Sequence, residues 1–151
     1  MTDLFDEERK LVPASTGKRF IACLVDYLLC IGFFFLMYNL FGEKKLDDEG
    51  TMVYSVDGMP ALACFAFWFF VMPVLESWNG QSVGKMLFGI RVVKDDGDKA
   101  GLGKTTVRHL FDIVDFLPFF GIVGLIVASG NSYGKRVGDK VADTIVVNKA
   151  Y

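Results

Sequence analysis

The residues best placed to do chemistry are carboxylates and arginines set in apolar surroundings. Asp26 lies six residues into the run Phe20–Phe41 and is its only formal charge, which puts it about 9 Å deep if the run is helical. An ionised carboxylate there costs about 2.5–3.5 kcal/mol on insertion scales. It must therefore find a partner or take up a proton. Arg19 precedes Asp26 by seven residues, two helical turns away on the same face. Their separation, about 10 Å along the axis, argues against direct contact. Arg108 and Asp115 repeat the seven-residue spacing, and RFIACLVDYL aligned on RHLFDIVDFL shares Arg, Val, Asp and Leu. This is a candidate internal repeat of the kind transport folds contain. Asp112 adds an i,i+4 partner for Arg108. Two chemistries fit. In the first, cation and proton compete for the oxygens of Asp26 and Asp115, with Arg19 and Arg108 tuning them. In the second, the same charges pair and lock helices together.

Other chemistries find less support. His109 is the sole histidine, so no histidine-based metal cluster is expected. A hydrolytic triad would have to use it, and no such triad is expected. The stretch Gly97–Thr105 resembles a phosphate-binding loop but has five residues between Gly97 and Gly103-Lys104, where the motif needs four. A turn leading into a helix is the expected reading. No enzyme activity and no cofactor are expected. A net charge of −2 offers no bulk electrostatic attraction for nucleic acid.

The elements that must position these charges are unusually apolar. Hydrophobic residues are 52% of the 151, with 15 Phe and 16 Gly, against about 45–50% apolar, glycine included, for soluble domains. Mean hydropathy is +0.38. Residues 20–41 and 52–75 are long enough to cross a bilayer. A third segment, 110–128, contains Asp112, Asp115, Pro118, Gly121 and Gly124, so a re-entrant turn near 117–121 is expected, with a straight crossing as the alternative. Phe88–Lys94 and Thr144–Val147 are β-branched runs suited to a small extramembrane sheet, the first followed by the turn signal Asp95-Asp96-Gly97. Cys23, Cys30 and Cys64 sit in apolar runs and do not form a disulfide framework. The acidic N-terminus and long apolar run argue for an uncleaved anchor.

Lys and Arg number four in residues 1–19, two in 42–60 (against five acids), six in 76–109 and four in 129–151. The positive-inside rule then places 1–19 and 76–109 in the cytoplasm and 42–60 outside. A re-entrant third segment keeps the basic tail 129–151 inside too, where its strand can pair with the first. In the loop 76–109, Gly84 and Gly89 allow close backbone approach. Lys85 and Arg91 are expected at lipid headgroups. In the tail, Arg136 and Asp139 share a helix face as an expected solvated pair.

The order of these features, Arg and Asp in a first span, GQSVGKMLFGIRVV, Arg and Asp at a third segment, then KRVGDKVADTIVV, closely resembles the RDD family of bacterial membrane proteins. The resemblance covers about Ala14–Val147. It aligns Arg19, Asp26, Gly84, Lys85, Gly89, Arg91, Arg108, Asp115, Arg136, Gly138, Asp139 and Thr144 with the family pattern. It implies one RDD-like domain over 1–151 and a multi-pass protein of the bacterial inner membrane with a cytoplasmic N-terminus. Some family members resemble sodium/proton antiporters.

The expected fold is an all-α integral membrane protein. It has two transmembrane helices, a third re-entrant or hairpin-like segment and a small cytoplasmic β element. The expected function is exchange of Na⁺ or another monovalent cation for H⁺. Three membrane segments cannot easily enclose a pathway, so exchange implies a homo-oligomer or a larger membrane partner. The alternative is a non-transporting scaffold or accessory subunit with structural Arg/Asp pairs, its basic loop docking a partner or lipid.

Overall fold

The computed structural model describes residues 11–112 and 122–149. Helix α1, Thr16–Phe41, starts at Ser15, whose hydroxyl accepts the Lys18 amide at 3.4 Å. Its 26 residues extend about 39 Å. Strands β1, Glu43–Leu46, and β2, Met52–Ser55, then form an antiparallel hairpin. Asp47 closes its turn by accepting the Glu49 and Thr51 amides at 3.0 and 2.7 Å. The second apolar segment therefore begins later than its composition implies. Residues 52–55 are strand, and Gly58, at φ +63, opens helix α2, Gly58–Phe69. A right-handed helix cannot propagate through a positive φ, so the chain breaks there.

The same segment also ends later than expected. A π-helical turn, Phe70–Val74, contains Pro73 and leads into α3, Leu75–Asn79. Proline supplies no amide and crowds the preceding turn, and a wider coil relieves this without ending the helix. Residues 76–79, expected in the polar loop, are thus still helical. Gly80, at φ +78, terminates the helix, and its amide reaches the Glu76 carbonyl at 2.8 Å. The two spans face each other in part through Phe33 and Phe67, stacked at 4.1 Å.

Thr16–Phe41 and Gly58–Asn79 are long and apolar enough to cross a membrane, and only 11% and 17% of their apolar windows are buried within the molecule. Phe34, Phe35 and Leu40 of α1 and Leu62 and Phe65 of α2 are more than half exposed. Such a surface needs an apolar environment around it.

After the second span come α4, Val83–Leu87, and β3, Ile90–Lys94. Helices α5, Leu102–Leu110, α6, Ile122–Ser129, and α7, Val137–Val141, precede β4, Thr144–Asn148. The expected strand pairing is present: β3 and β4 are antiparallel, with Val92 opposite Val146. Residues 12–14 edge the sheet, the Ala14 amide donating to Val146 at 2.9 Å and the Asn148 amide to Val12 at 3.0 Å. Ile90, Val92 and Val146 gather with Ala14, Ala22 and Ala100 into one core, while Val93, Ile145 and Val147 form a second. The expected turn at 117–121 lies outside the described residues, as does Asp115. The three cysteines are free.

Helix α4 crosses α1 at backbone distance. A Cβ on Gly84 would stand 2.0 Å from the Ala22 carbonyl oxygen, whereas one on Gly103 of α5 would meet nothing within 4 Å. Gly84→Ala is therefore expected to destabilise the protein by about 3 kcal/mol and Gly103→Ala to stabilise it by up to about 1 kcal/mol. Thermal unfolding of detergent-solubilised protein compares the two.

A buried ion network between the helices and the sheet

Of the charges singled out by sequence, Arg19, Asp26, Lys85, Arg108, Arg136 and Asp139 converge where the first half of α1, the end of the second span and helices α4, α5 and α7 meet. Asp26 is 1% exposed. Its Oδ2 accepts the Ser82 hydroxyl at 2.5 Å, and its Oδ1 accepts the Gly84 amide at 2.7 Å. The Gly84 contact requires the missing side chain at that position, so glycine and aspartate operate as a pair. Lys85 does not reach out to headgroups. It is 7% exposed and paired with Glu76, because α4 turns its Nζ into the space beneath the second span.

Glu76 is the residue sequence reasoning missed. It has no exposed surface. Its carboxylate ion-pairs with Lys85 Nζ through Oε2 and with Arg108 Nη1 through Oε1. His109 Nε2 stands 3.4 Å from Oε2, outside hydrogen-bonding geometry. The signal was one acid at the end of an aromatic run, three residues after Pro73. The π turn directs this helix end, and Thr105 Oγ1 fixes it by donating to the Pro73 carbonyl at 3.1 Å.

Arg108 joins Glu76 to Asp139, its Nε donating to Asp139 Oδ1 at 2.5 Å. The expected Arg108–Asp112 pair gives way to this arrangement, and Asp112 instead accepts from His109 Nδ1 at 2.7 Å. The reason is rotational: α5 turns Arg108 towards the second span and α7. The expected solvated Arg136–Asp139 pair is also corrected. Asp139 is 1% exposed and accepts the Arg136 amide at 3.1 Å as the first-turn acid of α7, while the Arg136 Nη1 approaches Cys23 Sγ at 3.7 Å. The close approach is again glycine-dependent, since a Cβ on Gly138 would lie 2.6 Å from the Arg108 carbonyl.

Arg19 makes no ion pair with Asp26, as its spacing implied. Its guanidinium donates to the carbonyls of Gly134 at 2.5 Å, Tyr133 at 2.9 Å and Val146 at 2.6 Å. Arg19 thus anchors β4 and the preceding loop to α1, while Arg108 binds carboxylates. The two arginines of the candidate repeat have different partners. Gly89 sits at φ +61 in the turn into β3, and its carbonyl accepts the Lys149 amide at 2.8 Å. Arg91 is half-buried on β3, its Nε without an acceptor among the described residues.

For Arg108, Asp139 and His109 burial works against the charge, and the neighbours outweigh it. For Arg108, burial lowers the pKa, but Glu76 and then Asp139 outweigh it and hold the guanidinium charged. For Asp139, burial raises the pKa, but Arg108 holds it below the ordinary carboxylate value. For His109, burial lowers the pKa, yet the Glu76 and Asp112 carboxylates lift it above 6.5. The carboxylate–imidazole–carboxylate row Glu76, His109, Asp112 is suited to holding a proton. Among the described residues no group of three or more His, Cys, Asp or Glu is arranged to hold a metal ion.

The residues of this network fall within a match to the RDD family model over 13–143. The chain belongs to the RDD family. Over 142 residues it is 26% identical to Uncharacterized protein YckC of Bacillus subtilis (strain 168), covering 89% of this chain and 83% of that protein. No solved structure matches it. Of the family positions, Arg108, Asp139 and Lys85 belong to the Glu76 network, while Arg19 and Asp26 tie α1 to the sheet-bearing half.

Glu76→Gln leaves Lys85 without its counter-charge and Arg108 with Asp139 alone, and should cost about 3–5 kcal/mol. Lys45→Ala, which removes the exposed pairs with Glu43 and Asp57, should leave the unfolding midpoint in place. Because the folded pKa of His109 is raised, its contribution is complete below about 6.5 and is lost as pH rises through the folded value. The unfolding midpoint should therefore fall as pH rises above about 6.5, and His109→Gln should flatten that slope. Imidazole ¹⁵N shifts followed against pH would place the ring's midpoint above 6.5.

Proposed function

We propose that this RDD family membrane protein is a non-transporting scaffold or accessory subunit whose buried charges are structural. The observation that supports the reading most directly is the state of Asp26. Both oxygens are occupied by donors from the α4 region, one of them a main-chain amide. A cation entering there would have to displace protein donors from a carboxylate that holds two elements together. The other described acids of the network, Glu76, Asp112 and Asp139, are likewise engaged by Lys85, Arg108 or His109. In this reading the network fixes the β3–β4 unit and the 76–109 region against the bilayer face as a docking platform. The protein resides in the bacterial inner membrane as a multi-pass protein. Its N-terminus and the sheet lie on the cytoplasmic side, as the Lys and Arg distribution favours.

A second reading, exchange of Na⁺ or another monovalent cation for H⁺ by an oligomer, is favoured by the depth of Asp26 and the polar cavity beside it. Asp26 and Asp115 would carry the ion and Arg19 and Arg108 would tune them.

Reconstitution separates the two. Proteoliposomes carrying an imposed pH gradient receive Na⁺, K⁺ or Li⁺ while internal pH is followed. A scaffold gives no cation-dependent collapse beyond protein-free vesicles. Collapse by wild type, lost in folded Asp26→Asn or Asp115→Asn, would overturn the scaffold and assign exchange to that carboxylate.

A further inference from the structure

Two arginines of the network lack what the other basic residues have. Lys85 and Arg108 each touch a carboxylate. Arg19, 5% exposed, uses three main-chain carbonyls, and its Nε has no acceptor among the described residues. Carbonyls satisfy hydrogens but leave the charge uncancelled, and an uncompensated buried charge is expensive. The Arg136 Nη1 meets a thiol at 3.7 Å, and no carboxylate lies within ion-pair distance of its guanidinium among the described residues.

Both guanidiniums line one cavity of about 20 Å³, room for a single water-sized guest. Its acids are all engaged: Asp26 by Ser82 and Gly84, Asp112 by His109, Asp139 by Arg108 and the Arg136 amide. Two donors of the lining residues have no acceptor among the described residues, Arg19 Nε and His109 Nε2. The described lining carries four permanent cations, Arg19, Lys85, Arg108 and Arg136, against three acids, with Glu76 facing Lys85 and Arg108 from behind.

We propose that this cavity binds one small monovalent anion of the chloride class, held by Arg19 and Arg136 with His109 as a further donor. The guest must accept hydrogen bonds, carry negative charge and be nearly monatomic. Among the described residues sodium would meet no disengaged carboxylate, and sulfate exceeds the space. The site is independent of whether the chain transports anything. Burial and the raised His109 pKa add that binding strengthens as pH falls.

The test uses the full chain in lipid nanodiscs at pH 6 and constant ionic strength. Thermal unfolding is followed as gluconate is replaced by chloride, with sodium, potassium or choline as the cation. The expected result is a saturable rise in midpoint, identical for the three cations and reproduced by bromide. Arg19→Lys keeps the charge and removes Nε. It and Arg136→Gln should each raise the half-saturating chloride concentration at least tenfold. Because Arg19 also anchors β4, ³⁵Cl line broadening by the wild-type protein, reversed by bromide, gives a readout free of folding defects. Identical chloride and gluconate curves without bromide-sensitive broadening would show that the cavity takes water, overturning the proposal. A chloride effect unchanged in both folded variants would place the anion elsewhere and overturn it equally.

Discussion

A carboxylate with no exposed surface must be neutralised where it stands, and Glu76 sets that condition for much of the chain. Lys85 and Arg108 reach it from α4 and α5, and Arg108 then recruits Asp139 from α7. Three short elements are thereby held at one helix end. Each charge alone is unfavourable in that position, so removing any one converts a satisfied neighbour into a liability. Charge pairing gives the assembly its specificity, in a region where apolar contacts alone would tolerate sliding.

Close backbone approach makes the pairing geometrically accessible. Gly84 lies on the Ala22 carbonyl and Gly138 on the Arg108 carbonyl, bringing main chains near enough for short side chains to connect them. Asp26 exploits the first approach and Asp139 the second. Arg19 performs a different task, binding three carbonyls so that β4 and the turn before α7 stay against α1. The β3–β4 sheet is thus attached to the apolar helices through polar side chains, and its small apolar cores complete the contact.

Much of this was legible in the sequence. Apolar length marked the two spans, β-branched runs marked β3 and β4, and the Gly84 position marked a close approach. Boundaries were less legible because composition does not report backbone sign. Residues 52–55 are apolar enough to extend a span, yet Gly58 at positive φ separates them from it. Charges near a membrane face were misassigned outward. Lys85, Arg136 and Asp139 read as headgroup or solvent contacts because their burial depends on elements distant in sequence. Glu76 read as a loop boundary for the same reason: one acid after an apolar run gives no periodic signal. Arg19 and Arg108 look equivalent by spacing, but only their partners reveal that one binds carbonyls and the other carboxylates.

The wide turn at Phe70–Val74 has a mechanical consequence for the second span. A coil of larger radius carries an offset in helical phase, so the aromatic rod before it and the charged stub after it do not share one continuous face. The aromatic rod answers to the thickness and lateral pressure of the surrounding lipid, while the stub is clamped by Thr105 on the Pro73 carbonyl and by the partners of Glu76. The second apolar helix is thus two rods of different phase, and it is the second that is tied into the charge network.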